Sequence, residues 1–404
     1  VAGALSGFRV LDLSRILAGP WASQMLADLG AEVIKVERPG AGDDTRGWGP
    51  PYMPDEAGQP TSEAAYFHAA NRGKQSVCID MSKVEGQELI RELAKHCDVL
   101  VENFKVGGLK KYGLDYDSLK AINPKLVYCS ITGFGQTGPY AERAGYDFMI
   151  QAMGGMMSVT GDADGEPMKI GVALADVLTG LYASNAIQAA LIHQLKTGEG
   201  QYIDMALLDV QVATLANQAM NYLATGNNPQ RLGNAHPNIV PYQAFETADG
   251  FMILAIGNDA QFQRFCDLAG KPELAGDERF KQNSSRVKYR HILVPQIAAI
   301  MTLRATDDWL NELNQRGIPC GPINNIDQVF ADPQVRHRAL QQTLSHPTAG
   351  TVASVGNPIK LTNTPIVYDR APPILGQHTD EVLERILRLD ETGIAELRNA
   401  QIIA

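Results

Sequence analysis

The chain alternates short apolar runs with longer amphipathic ones, beginning at residues 8–13 (Phe-Arg-Val-Leu-Asp-Leu), which read as a strand. A turn at 15–20 follows, then a helical pattern at 21–29 and a second strand at 32–37. The same rhythm continues as a strand at 75–80, a helix at 84–97 and strands at 99–101 and 126–131. Repeated β/α alternation predicts a parallel sheet covered by helices on both faces. A long apolar stretch at 170–192 reads as a helix, stopped by Gly198 and Gly200, with a strand at 202–206 and a helix at 210–223 beyond it. Turn formers at 225–231 mark a boundary. From 242 to about 326 the pattern is that of a smaller α/β unit: a strand at 252–256 and helices at 260–268, 287–301 and 306–317. Proline and glycine recur through 346–373, which suits an extended connector, and 379–389 reads as a final helix. The expected layout is a large α/β domain at 1–224, a small α/β domain at 225–330, and a linker with a returning segment at 331–404.

A chain of 404 residues is long enough for two cores. Its net charge of −10 argues against a nucleic-acid partner, which calls for a basic patch. The five cysteines, Cys78, Cys97, Cys129, Cys266 and Cys320, show no paired spacing, so neither a disulfide framework nor a zinc site is expected, and the cytosol is the expected compartment. No secretory signal is read at the start of the chain. The 170–192 stretch has the length of a membrane span, but Asp176, Thr179, Ser184, Asn185 and Gln188 interrupt it, and a buried globular helix is the better reading.

Asp176 is the one charged residue of that stretch. A lone buried carboxylate costs several kcal/mol unless donors satisfy it, so a reactive role is one reading and a helix cap is the other. Other chemistries find little support. The first βα turn, Ser14 to Pro20, lacks the G-x-G-x-x-G spacing of dinucleotide sites, and no G-x-S-x-G occurs. His193 reads as a solvated helix residue; His236 lies in a polar loop near the domain boundary, where a site residue and a plain loop residue are equally good readings. Arg38, Arg72, Lys74, Lys105, Lys110 and Lys111 follow strands or turns of the first domain, where α/β sheets bind ligands.

Six motifs carry a resemblance: Leu-Asp-Leu-Ser-Arg-Ile-Leu-Ala-Gly-Pro at 11–20, Gly-Ala-Glu-Val-Ile-Lys-Val-Glu-Arg-Pro-Gly at 30–40, Asn-Arg-Gly-Lys-Gln-Ser at 71–76, Val-Glu-Asn-Phe at 101–104, Ser-Ile-Thr-Gly-Phe-Gly at 130–135 and Leu-Gly-Gln-His-Thr at 375–379. Together they resemble the class III CoA-transferases. That resemblance implies a Rossmann-like large domain with a smaller α/β domain, two subunits threaded as linked rings in a homodimer, and Asp176 as the nucleophile. It implies coenzyme A as a substrate, with no tightly bound cofactor and no metal. By motif position, Ile16, Arg38, Arg72, Lys74, Asn103 and Phe104 should line the CoA site, with Lys111 and Tyr146 beside them. Leu17 stands where formyl-CoA transferases have glutamine. The loop Ile256-Gly257-Asn258-Asp259 is the counterpart of a glycine loop that covers the nucleophile. Tyr146 stands where a racemase branch of the family has histidine, and a phenol is a far poorer base than imidazole near neutral pH.

The wording at 42–51, 239–245 and 321–325 is similar to family members acting on dicarboxylates, which implies succinyl-CoA as donor and glutarate or a close analogue as acceptor. Arg15, Arg46 and Arg231 are the candidates for the distal carboxylate, with His236 as a hydrogen-bond donor. The rival readings are an acyl-CoA racemase of the same family and a non-catalytic CoA-binding protein.

Overall fold

The computed structural model describes residues 2–404 and divides into two compact units. The larger is built from residues up to 156, from 170–219 and from 333–404; the smaller from 157–169 and 220–332.

The larger unit contains β1 (Arg9–Asp12), β2 (Glu32–Glu37), a short hairpin of β3 (Tyr52–Pro54) and β4 (Pro60–Ala64), β5 (Lys74–Cys78), β6 (Val99–Glu102), β7 (Val127–Thr132) and β8 (Tyr202–Ala206). Six of these form one sheet in the order β5-β2-β1-β6-β7-β8, every neighbouring pair parallel. Alternate strand residues feed two cores, because successive side chains of a strand point to opposite faces. Leu11, Ile34, Val77, Leu100 and Tyr128 pack with Leu89, Ile90 and Leu93 of the helix Val84–Lys95 and with Val382 and Leu383 of the helix Thr379–Leu387. Val10, Val33, Val99, Val101 and Cys129 pack on the other face with Ala22 and Leu26 of the helix Ala18–Asp28 and Ala183 and Ile187 of the helix Leu174–Thr197. These two helices run close together at Gly180, where a Cβ would sit 2.8 Å from the Ala18 carbonyl oxygen and 2.9 Å from the Trp21 Cβ. The long apolar stretch is thus a core helix, and among the described residues no helix is long and apolar enough to cross a membrane.

The smaller unit has an antiparallel sheet of β9 (Tyr242–Glu246), β10 (Phe251–Ala255) and β11 (Cys320–Pro322), with β10 central. One face of that sheet, through Phe245, Met252 and Leu254, packs with Phe262, Phe265, Leu293, Ile297 and Trp309 from the helices Asp259–Leu268, Arg290–Met301 and Thr306–Gln315.

Four expectations are corrected. Residues 157–169 fall with the smaller unit, held there by Gly233 N–H donating to the Gly161 carbonyl and by Arg231 donating to the carbonyls of Asp162 and Gly165. The helix expected at 210–223 is two helices, Leu207–Ala213 and Ala216–Thr225: the Thr214 hydroxyl donates to the Gln211 carbonyl, competing with the helix ladder, and Ala216 adopts φ +47°. The connector at 346–373 begins inside a hairpin of β12 (Gln341–His346) and β13 (Gly350–Val355), whose small core of Leu344, Ala349 and Val352 leaves a weak apolar signal. A last helix, Glu391–Asn399, follows Thr379–Leu387, with the Asp390 carboxylate accepting from Gly393 N–H as its cap.

Candidate active site

At the C-terminal edge of the parallel sheet the chain leaves β1 through a tightly built turn. Asp12 is fully buried and accepts from the Ser14 and Ser23 hydroxyls at 2.5 Å each and from Lys74 Nζ at 3.1 Å. Lys35 Nζ donates to the Ser14 carbonyl at 2.8 Å and to Asp43 at 2.9 Å. Asp43 in turn accepts from the backbone N–H of Ile16, which is held at φ +72°. A β-branched residue rarely adopts that conformation, so the turn is strained at Ile16 and over-determined by the charges beneath it.

These charges are compensated. Burial disfavours ionised Asp43, but Lys35 outweighs it and the carboxyl falls to about 2. The partners of the Asp12–Lys74 pair respond differently. Burial raises Asp12, but Lys74 and Lys35 overcome this and hold it below the usual carboxylate value. Burial dominates at Lys74, which has Asp12 in its favour and Lys35 against it, and its pKa falls to about 8.

Above the turn lies a cavity of about 900 Å³ lined by Arg15, Ile16, Leu17, Arg38, Asn103, Phe104, Lys105, Lys111, Tyr146 and Asp176, among others. Arg15 and Asn103 are tied through two bonds: Arg15 N–H donates to Asn103 Oδ1 at 2.9 Å, and Asn103 Nδ2 donates to the Arg15 carbonyl at 2.7 Å. The Arg15 guanidinium lies 5.4 Å from the centre of the Phe104 ring and pairs with Asp44 at 3.0 Å. Arg38, Lys105 and Lys111 present exposed side chains to the same cavity.

Asp176 sits in the first turn of the helix Leu174–Thr197 but does not cap it. The N-cap position is Ala173, which has no side chain for the purpose; Asp147 Oδ1 serves instead, accepting from the N–H groups of Ala175 (2.8 Å) and Asp176 (3.3 Å). Burial, and then the Asp147 charge, push the Asp176 carboxyl up to about 7, with no cation offsetting them. The carboxyl is therefore free of a capping role, largely desolvated and poised to ionise near neutral pH.

Three expected ligand contacts do not reach this cavity. Lys74 points into the sheet, where a buried ammonium requires partners, and finds Asp12, the Asn71 Oδ1 and the Pro20 carbonyl. Arg72 forms a two-pronged pair with Asp28 (2.8 and 2.5 Å) and donates to the Val355 carbonyl. Arg46 grips both oxygens of Glu37 at 2.8 Å each and stacks 3.7 Å over Phe67. Arg231, His236, Gly257 and Asn258 belong to the smaller unit. There His236 Nδ1 accepts from Asn238 N–H, Gly257 N–H donates to Gln261 Oε1, and Asn258 caps the helix Asp259–Leu268 by accepting from Gln261 N–H. Asp147 and Asp43 were missed by sequence reasoning; the acid directly after Tyr146 was the only signal available for the first.

Among the described residues one group has metal-ligand chemistry: Glu63, His68 and His346, whose donor atoms lie within 4.8 Å of one another. His346 Nδ1 accepts from the N–H groups of Ala349 (3.1 Å) and Thr348 (3.3 Å), so in the neutral ring the proton is on Nε2 and leaves no lone pair there for a metal. With Arg46 3.7 Å from Glu63, the group reads as a buried charge cluster.

The family model for CoA-transferase family III matches residues 5–379. A succinate–glutarate CoA-transferase of Agrobacterium fabrum is 55% identical over 390 residues, covering 96% of this chain and 97% of its own. The human succinyl-CoA:glutarate CoA-transferase is 45% identical over 399 residues, covering 99% and 90%. The crystal structure of a CAIB/BAIF family protein from Brucella suis superposes with a TM-score of 0.84 at 53% identity, covering 96% of this chain and 100% of that one. With the sheet, the cavity and the match along nearly the whole chain in agreement, the protein is an enzyme of CoA-transferase family III.

Proposed function

We propose that this enzyme moves CoA from succinyl-CoA to glutarate or a closely related dicarboxylate, with Asp176 as nucleophile, acting as a cytosolic homodimer. The observation that carries the reading is the placement of the Asp176 carboxyl in the same cavity as Arg38, Asn103, Phe104 and Lys111. A thioester lying there offers its carbonyl to the carboxylate, while its phosphates meet cations at the rim. Arg38, Lys105 and Lys111 take the phosphate role, since Arg72 and Lys74 are committed to Asp28 and Asp12. Of the arginines considered for the distal carboxylate, Arg15 is the one that lines this cavity.

Ionised Asp176 attacks the thioester carbonyl, expelling CoA thiolate and forming a succinyl–aspartyl anhydride. The thiolate attacks the aspartyl carbonyl, releasing succinate and leaving an aspartyl-CoA thioester. A glutarate carboxylate displaces the thiolate to form a second anhydride, and the thiolate collects the glutaryl group, regenerating the carboxylate. Splitting the exchange into covalent steps retains the thioester's free energy without ATP. A racemase would place a base at Tyr146, where this chain has a phenol.

The test is incubation with succinyl-CoA and a panel of acids, following new acyl-CoA by chromatography, with hydroxylamine added to trap an acyl group on Asp176. No new acyl-CoA with any acid removes the transferase reading. Exchange of an α-proton without an acceptor acid would favour the racemase.

A further inference from the structure

Glu102, the last residue of β6, is 5% exposed and has no cation beside it. It lies opposite Ser130 on β7, and the titratable side chains that its charge acts on are Tyr128, Cys129 on the other face of the sheet, and Tyr202, each pushed up by burial, with Asp204 acting on the last two. Burial pushes the Glu102 carboxyl up to about 7, against the Ser130 hydroxyl and the Phe104 N–H, which favour the ion. An unpaired carboxylate in such a place costs several kcal/mol, and the reaction steps above do not use it.

The backbone donor it holds indicates its work. Phe104 N–H donates to Glu102 Oε2 at 2.8 Å, closing a turn where the chain leaves the sheet and becomes cavity wall. Ser130, opposite Glu102 on β7, accepts from Gln136 Nε2 at 2.9 Å. From this turn hang Asn103, bonded twice to the Arg15 backbone, and Phe104, which the Arg15 guanidinium overlies. Three cavity-lining residues therefore depend on one short turn, and the turn is anchored on one carboxylate.

We propose that Glu102 is a positioning residue of the acyl-CoA site: acting through the Phe104 N–H, its carboxylate fixes the turn that presents Asn103 and Phe104 to the ligand. The proposal rests on the reading that the cavity binds acyl-CoA. Protonation converts one carboxylate oxygen to a hydroxyl and weakens the other as an acceptor, so affinity for CoA falls as pH drops through about 7.

The test measures dephospho-CoA binding by calorimetry from pH 5.5 to 8.5, since that ligand lacks the 3′-monophosphate that titrates in this range. It is done in an Asp176→Ala background, so that Asp176 is silent, alongside thermal unfolding. Glu102→Ala should weaken binding at pH 8 by about tenfold, the loss of one charge-assisted bond. Glu102→Gln keeps a neutral acceptor for Phe104 N–H. It should bind within about threefold of the parent at pH 8 and lose the parent's fall in affinity toward pH 6. Unchanged binding by Glu102→Ala, or a parental pH slope in Glu102→Gln, overturns the role. If Glu102→Ala does not fold, the slope in Glu102→Gln decides alone. A parent that fails to bind dephospho-CoA at all overturns the reading of the cavity, and this role with it.

Discussion

Beneath the first βα turn, Asp12, Lys35, Lys74, Asp43 and Glu37 are buried together beside the half-buried Arg46, and every charge has an opposite one within 3.1 Å. On the same sheet edge Asp176 and Glu102 are largely desolvated with no cation in reach, and both carboxyls rise to about 7. The first group holds backbone: the Ser14 carbonyl, the Ile16 N–H, the 3₁₀ turn Asp44–Gly47. The second group lines the cavity or anchors its wall. Buried charge by itself does not mark a reactive site; buried charge left uncompensated does so far better, because only such a group still has free energy to release to a ligand or a reaction.

The sharpest way to break this contrast is at Asp176. Asp176→Ala should reduce turnover by on the order of 10⁴-fold or more, as loss of a covalent nucleophile does, while CoA affinity stays within about threefold. Steady-state transfer assays and calorimetry measure the two quantities; retained turnover would move Asp176 out of the reactive group.

The sheet was legible because its strands are buried on both faces and read as apolar runs, and Asp176 was legible because it interrupts one. Pairing was not. Lys74 meets Asp12 from 62 residues away and Arg72 meets Asp28 from 44, so both cations looked like free ligand-binding groups at a strand end. Asp147 reaches the Asp176 helix across 29 residues, and no local pattern announces a cap supplied from so far away. Residues 157–169 read as part of the large domain for the same reason, since their place depends on Arg231 and Gly233.

Mutation within the paired group should act on stability. Lys74→Met leaves Asp12 buried with fewer partners and should cost about 3–5 kcal/mol, read from the urea midpoint, with acyl-CoA KM unchanged in the folded fraction. Arg38→Ala, at the exposed rim, should show the reverse: an unchanged midpoint and an acyl-CoA KM raised by about tenfold. Equal effects of the two substitutions on KM would dissolve the distinction.

Titration sharpens it further. The Asp176 carboxyl is raised from 3.8 to about 7, so its protonated form is the one the fold favours. Its stabilising contribution is fully present below about pH 4 and is lost as pH rises through about 7, a penalty on the order of 4 kcal/mol at most. Asp176→Asn should match the wild type in stability at pH 4 and exceed it at pH 8. Activity runs the other way, with kcat/KM of the wild type rising through about pH 7 as the nucleophile ionises. An Asp176→Asn variant no more stable than wild type at pH 8 would mean that a donor compensates the carboxylate after all.

The smallest effect is expected where the two groups meet. Ile16 is held at φ +72° by the paired charges below it and forms part of the cavity wall above. Such a conformation costs a β-branched residue about 1–3 kcal/mol, and glycine removes that strain. Glycine also adds disorder to the unfolded chain, worth roughly 0.5–1 kcal/mol in the opposite direction, so Ile16→Gly should raise stability by about 0–2.5 kcal/mol. The lost apolar wall should raise acyl-CoA KM about threefold, which matches burial of a fraction of one side chain. Urea midpoints and KM values separate the two signs. A lower midpoint would mean that the packing of Ile16 outweighs its strain, and the residue would then belong with the scaffold beneath the turn instead of with the ligand site above it.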